Sequence, residues 1–134
     1  MQNFKNNMKI TVITSNKLRH NYLINKLSNI CSSLYVIQES STIFPGINFG
    51  RNKKSITMKK YFSKVELAQQ KLFSDHFYIR KNKKIEILPL QFNDLNLIKL
   101  SKIKRFFQSD IYIIFGSSFI KGKKFKFLNK KKVI

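Results

Sequence analysis

The sequence predicts an α/β protein with a Rossmann-like open, mostly parallel sheet, helices on both faces, and an incomplete set of about four strands. Short apolar runs rich in β-branched residues recur along the chain, and segments with helical spacing separate them. A helix between two buried strands is typical of a parallel pair joined by a right-handed crossover. A length of 134 residues fits one domain, residues 1–134.

The first third of the chain contains one such unit. Residues 9–14, KITVIT, form an apolar, β-branched run that predicts a buried strand. Ser15 and Asn16 are residue types that cap helix N-termini. The apolar residues that follow at helical spacing are Leu18, Tyr22, Leu23, Leu27 and Ile30. Residues 34–38, LYVIQ, predict the second strand, so the helix between them has about 14 residues.

The middle of the chain predicts a loop and then a helix. Residues 39–56 contain Pro45, Gly46 and Gly50 without a period, which indicates a long loop of the kind that is often functional. Residues 57–74 are amphipathic, and we expect their apolar side to face the core. That apolar side comprises Met58, Phe62, Val65, Leu67 or Ala68, and Leu72.

The last third predicts two further strands. KIEILPL is a weaker strand that we expect to end at Pro89. A helix follows from Asn93 or Asp94 to about Phe107, and its inward residues are Leu97, Leu100, Ile103 and Phe107. Residues 110–115, DIYIIF, form the fourth strand. Val133 and Ile134 resemble the start of a fifth strand.

The formal net charge of +21 has two interpretations. An excess of Lys and Arg is typical of proteins that bind phosphate or anionic surfaces. Alternatively, an AT-rich genome produces the same composition, because Lys, Asn, Ile and Phe supply 67 residues, half of the chain, and their codons are largely A and T. The basic residues are mostly Lys and are scattered from end to end, which favours codon bias.

Other function classes are disfavoured by composition. The single cysteine, Cys31, cannot form an internal disulfide, so a reducing cytoplasm fits best. No apolar run reaches the ~18 residues of a membrane span, so we expect no membrane partner. Two histidines and one cysteine far apart predict no metal site, and six scattered acidic residues give no general-acid pair.

The predicted topology identifies two loops as the candidate site. In open α/β sheets ligands bind beyond the carboxyl ends of the strands, where the strand order reverses, and the first and fourth strands usually flank that point. Ser15 and Asn16 follow the first strand, and Gly116, Ser117 and Ser118 follow the fourth. Neither a GxGxxG nor a P-loop is present. An ordinary helix cap and a plain strand-to-helix turn remain alternatives for these loops.

Arg19 and His20 occupy the first turn of the first predicted helix. Together they could contact a phosphate or carboxylate, or they could lie on a solvated helix face. In the second loop, Gly116 allows the backbone to approach a ligand closely. Ser117 and Ser118 could hydrogen-bond that ligand or cap the next helix.

Two segments of the chain carry recognisable motifs. "MKITVITSNKLRHNYLINKLS" contains a predicted strand followed by T-S-x-x-x-R-H-x-Y/F and a helix. "SDIYIIFGSSFIKGKKFKFLNKKKVI" contains a predicted strand, an F-G-[ST]-S-[IF] turn and a short helix. The first segment resembles the opening, and the second the fourth strand and its turn, of the formyltransferase family, which includes methionyl-tRNA formyltransferase and sugar N-formyltransferases. The order and spacing of the two segments also agree with the family.

The resemblance implies transfer of a formyl group from 10-formyltetrahydrofolate to an amine. The acceptor would be a nucleotide sugar or methionyl-tRNA. It implies a folate-binding role for Phe115, Gly116, Ser117 and Ser118, and an acceptor-side role for Ser15, Asn16 and Arg19. The family's catalytic Asn and His lie in an N-x-H on the next strand, with an Asp further on. Because none of these is present here, the chain looks like an N-terminal part that is inactive alone.

Two further expectations concern the basic charge of the chain and the edge of the predicted sheet. A small basic nucleic-acid-binding α/β module is the alternative function, and clustering of the 27 basic residues on one face would favour it. If the chain stops before the fifth strand, residues 111–115 present an unpaired apolar edge. Such an edge predicts self-association.

Overall fold

The computed structural model describes residues 7–40 and 55–134. Four parallel strands form one sheet in the order β3-β2-β1-β4. The strands are β1 (Lys9–Ser15), β2 (Ser33–Ser40), β3 (Ile85–Gln91) and β4 (Ile111–Phe115). The predicted Rossmann-like open α/β fold is therefore confirmed.

Helices lie on both faces of this sheet. They are α1 (Leu18–Leu27), α2 (Ile56–Phe73), α3 (Asp94–Leu97) and α4 (Gly122–Leu128). A short 3₁₀ helix spans Ser74–His76, and a longer 3₁₀ stretch with a kink at Ile103, here the 3₁₀ segment, spans Leu100–Phe107. The predicted loop 39–56 is shorter than expected at both ends, because Glu39 and Ser40 belong to β2 and Ser55 caps α2. The rest of that predicted loop, residues 41–54, lies outside the described residues.

Successive strand residues pack into two separate cores, as the twofold period of a strand requires. On one face, Ile10, Val12 and Val36 pack with Ile24 of α1. On the other face the core combines strand residues with the 3₁₀ segment and α4, and its members are Ile13, Ile37, Leu95, Ile103, Phe106, Phe107, Tyr112 and Leu128. Burying such side chains stabilises the fold by about 1.5–3 kcal/mol each.

The expectation that α2 faces the core is wrong. Leu67 is 66% exposed, and Met58 and Leu72 are exposed as well. The core beneath contains α1 side chains and none from α2, because α1 already covers this face of the sheet. α2 instead lies against α1, where Nη1 of Arg19 donates a hydrogen bond to Oε1 of Gln69 at 2.7 Å.

The predicted helix over residues 93–107 is broken. Ile98 and Lys99 have extended backbone between α3 and the 3₁₀ segment. This break turns Leu97 outward, so that it is 76% exposed rather than buried as expected. It also frees the Ile98 carbonyl, which accepts a hydrogen bond from the buried Lys124 ammonium.

Pro89 lies inside β3 and does not end it. β3 is an edge strand, and Leu34 N–H donates to Lys84 O while Phe92 N–H donates to Ser40 O. The backbone N–H and C=O groups of even-numbered β3 residues therefore point toward β2, because these groups alternate sides along a strand. The missing N–H of Pro89 faces outward and removes no bond from the ladder.

The outer edge of β4 is paired at Tyr112 and Ile114. The expectation of an unpaired edge over residues 111–115 is therefore wrong for these two residues. Tyr112 forms a parallel bridge with Val133. Tyr112 N–H donates to Lys132 O at 3.0 Å, and Ile134 N–H donates to Tyr112 O at 2.9 Å. Ile114 N–H donates to Ile134 O at 2.9 Å. Val133 and Ile134 thus pair with β4 through an isolated parallel bridge, where their sequence suggested the start of a fifth strand.

Within residues 7–40 and 55–134, no helix has both the length and the apolar character required to cross a bilayer.

Candidate functional site

The carboxyl ends of β1 and β4 lie side by side. Thr14 pairs with Phe115, and Ser15 pairs with Glu39 of β2 on the other side. The chain leaves β1 toward β2 on one side, whereas β4 and the terminal residues lie on the other. The strand order therefore reverses between β1 and β4, as predicted, and the two loops named from the sequence meet at this point.

His20 is the side chain that joins the two loops. It is 1% exposed, and its Nδ1 lies 2.6 Å from Ser15 Oγ and 3.3 Å from Ser15 N. The ring packs edge-on against Phe115, with centroids 4.7 Å apart. Because the Ser15 N–H donates to Nδ1, the proton of the neutral ring lies on Nε2. Nε2 is buried and has no hydrogen-bond partner among the described residues.

The close approach of the His20 ring requires glycine at position 116. Its φ of 71° lies in the left-handed region. A Cβ at this position would lie 2.4 Å from His20 Cε1 and 2.8 Å from Nε2. The sequence indicated a close approach at Gly116, and the group that approaches is His20 of the same chain.

His20 is neutral at pH 7. Burial lowers its pKa from 6.5 to about 4, the positive charges of Arg19 and Lys17 act in the same direction, and the Ser15 hydrogen bond opposes them. His20 therefore neither lies on a solvated helix face nor offers a cation to a phosphate. Arg19 is half-buried against α2, so the two residues of the predicted anion-binding pair point to different surroundings.

The predicted caps of α1 are also placed differently. Ser15 is the last residue of β1, and its hydroxyl is engaged by His20. Asn16 is exposed, and α1 begins at Leu18 with Lys17 at the N-cap position and no side-chain cap. The expectation that Ser15 or Asn16 caps the helix is wrong. The proposed acceptor-side roles of Ser15, Asn16 and Arg19 stay predictions.

Glu39 holds the second loop. This carboxylate is 2% exposed, and Ser118 donates to it twice, from its N–H and from its Oγ, at 2.7 Å each. Ser118 is therefore buried, with its donors occupied. Sequence reasoning missed Glu39, although an acidic residue at the carboxyl end of a buried apolar run was a usable signal, because such a group reaches the loops beyond the sheet.

Asn96 fixes the rest of this loop. Its Nδ2 donates to Phe119 O at 2.7 Å, and its Oδ1 accepts from Lys121 N–H at 2.8 Å. Together, Glu39 and Asn96 therefore fix the Ser118–Lys121 part of the loop through bonds within the fold.

Four of the residues assigned to the site from the sequence offer accessible groups beside the β1–β4 reversal. Phe115 is 41% exposed, Gly116 and Asn16 are exposed, and Ser117 is half-buried. Such a surface offers an aromatic ring, exposed backbone and one hydroxyl, which suits a flat, partly polar ligand. Over the described ranges, no group of three His, Cys, Asp or Glu residues is close enough together to hold a metal ion.

No family model matches this chain, and no curated protein matches it significantly. The folate-binding roles of Phe115, Gly116, Ser117 and Ser118 stay predictions.

Basic residues occur on both faces of the sheet, on α1 and α2 as well as on the 3₁₀ segment and α4. By the criterion set above, the basic residues taken together do not define one binding face, and this statement concerns their overall distribution rather than any local group of lysines.

Proposed function

We propose that this chain forms the folate-side part of a formyltransferase domain, which uses 10-formyltetrahydrofolate as the formyl donor for an amine. One observation supports the proposal above all. The two segments that carry the resemblance are separated by 80 residues, yet they pack directly on each other. His20 of the first segment contacts Phe115 and Gly116 of the second. Residues matched to the two family segments thus form one interface beside the β1–β4 reversal.

The chemistry of the accessible surface is compatible with a folate. The exposed part of the Phe115 ring can stack on a flat heterocycle. The exposed backbone of Gly116 follows Phe115, and Ser117 Oγ, which donates to Ser118 O at 3.1 Å, retains acceptor capacity. Ser118 is expected to act indirectly through Glu39, by fixing the loop.

Formyl transfer itself is not expected from these residues. It needs a base for the attacking amine and donors for the developing oxyanion. His20 is buried and engaged by Ser15, and the chain contains no N-x-H. We therefore expect binding of the donor without turnover.

The proposal is tested by isothermal titration of the chain with 5-formyltetrahydrofolate, a stable isomer of the donor. Phe115→Ala should weaken binding, because it removes the stacking surface. Phe119→Ala is the matched control, since Phe119 is an exposed phenylalanine on the same loop. Absence of binding, or equal weakening by the two substitutions, would contradict the proposal.

A further inference from the structure

We propose that the groove between the 3₁₀ segment and α4 binds the phosphate backbone of single-stranded nucleic acid. This groove, here the lysine groove, is formed by two adjoining hollows of about 600 and 530 Å³. Leu100 and Ser101 line both hollows and so make them continuous. The inference concerns a surface other than the β1–β4 edge and does not depend on folate binding.

The direction of the groove follows from the topology. The 3₁₀ segment leads from the carboxyl edge of the sheet, after β3, to the amino edge, before β4. α4 leads the same way, from the end of β4 toward the terminal residues that pair with β4. The groove therefore runs along the length of the strands, and α4 alone spans about 10 Å of it.

Lysines line both walls of the groove from end to end. Lys99 and Lys104 belong to the 3₁₀ side, and Lys121, Lys123 and Lys131 to the α4 side. All five are exposed. Two facing rows of ammonium groups along a trough are the arrangement with which proteins follow a nucleic-acid backbone.

No residue that lines either hollow is acidic. Three carboxylates of the described residues are engaged elsewhere: Glu39 accepts from Ser118, Asp110 accepts from Lys9 N–H, and Glu86 pairs with Arg105. The groove lysines thus carry charge that nothing in its lining neutralises. An added polyanion would gain from this charge without breaking an ion pair.

One hollow also presents an aromatic side chain, which favours a nucleic acid over other polyanions. Phe127 is half-buried there, with Lys131 Nζ 5.1 Å from its ring centroid, whereas the neighbouring Phe107 is 4% exposed and belongs to the core. Bases stack on aromatic rings regardless of sequence. We therefore expect binding without sequence preference.

The test is fluorescence anisotropy with a labelled oligothymidylate of about 15 nucleotides, comparable with the site sizes of single-strand-binding folds. For single strands the salt slope of log K is about −0.7 per neutralised phosphate, so five lysines give about −3.5. Affinity should fall about 100-fold between about 50 and 200 mM salt.

The variant Lys99→Gln/Lys121→Gln/Lys123→Gln should bring the slope to about −1.4. The matched control is Lys59→Gln/Lys60→Gln/Lys64→Gln on α2, which removes the same charge from exposed positions outside the groove. We expect the control to keep nearly the full slope. Circular dichroism checks that both variants are folded.

Three outcomes would overturn the proposal. The first is no binding at about 50 mM salt. The second is equal loss in the two triple variants, because attraction that reflects only the overall composition depends on total charge. The third is tighter binding to vesicles of anionic lipid than to the oligonucleotide, with the same loss in the groove variant, which would assign the groove to a membrane surface.

Discussion

Replacing Gly116 with alanine tests the contact between the two candidate loops. Gly116 has φ 71°, and its added Cβ would lie 2.4 Å from His20 Cε1. Gly122 is the matched control, because its φ is 64° and nothing lies within 4 Å of an added Cβ. Both substitutions force alanine into left-handed backbone, but only the first also forces it against a buried ring.

The magnitudes follow from these two terms. Left-handed backbone costs an L-residue about 1–2 kcal/mol, and this is the whole effect expected for Gly122→Ala. Crowding a packed site costs about 1–3 kcal/mol more. Because Ser15 and Phe115 hold the His20 ring from two directions, it cannot easily move away. We therefore expect Gly116→Ala to destabilise the fold by about 2–5 kcal/mol.

Urea unfolding followed by circular dichroism measures both values. At an m-value of about 1–3 kcal/mol/M, the difference between the variants is a midpoint shift of about 1 M. In a His20→Ala background the cost of Gly116→Ala should fall to that of Gly122→Ala, since the ring is absent. Equal costs of the two alanines in the wild-type chain, or an unchanged cost of Gly116→Ala without the ring, would refute the proposed contact.

Three further predictions concern the same framework. As pH falls from 6.5 to about 4, His20 is protonated in the unfolded chain before it is protonated in the folded chain. The free energy of unfolding should therefore fall by up to about 3 kcal/mol more in the wild type than in His20→Ala. Urea unfolding at both pH values measures this difference. A difference that does not change with pH would contradict this. Glu39→Gln should cost about 1.5–3 kcal/mol and speed hydrogen exchange at Ser118 N–H, whereas Glu66→Gln on the exposed side of α2 should do neither. Equal effects of these two substitutions would count against the buried bond. Deleting residues 133–134 should expose the edge of β4 and raise the sedimentation-derived mass through self-association, and a monomer at about 150 mM salt would show that the edge needs no cover.

The strands could be predicted because a parallel sheet is buried on both sides. Residues 9–14 and 110–115 are nearly continuous apolar runs for this reason, and their neighbouring positions followed from Rossmann connectivity. The partner of each helix could not be predicted in the same way. The apolar side of α2 has the expected spacing, but spacing does not show that α1 already covers that face of the sheet.

The site was predicted by position and missed in detail. The loops after β1 and β4 were named correctly as neighbours, because topology alone determines where carboxyl ends meet. The burial of His20 was missed because its neighbours Arg19 and Asn21 are polar, and only the distant Gly116 makes room for the ring. Local polarity therefore indicated a solvated face where a long-range contact buries the side chain.

The most direct test of the proposed function is a ¹⁵N–¹H correlation spectrum of the chain during titration with 5-formyltetrahydrofolate. We predict shift changes centred on Phe115–Ser117, with smaller changes at Ser15 and Asn16, because these residues surround the β1–β4 reversal. Absence of saturable shifts, or shifts confined to the lysine groove, would contradict a folate site at this edge of the sheet.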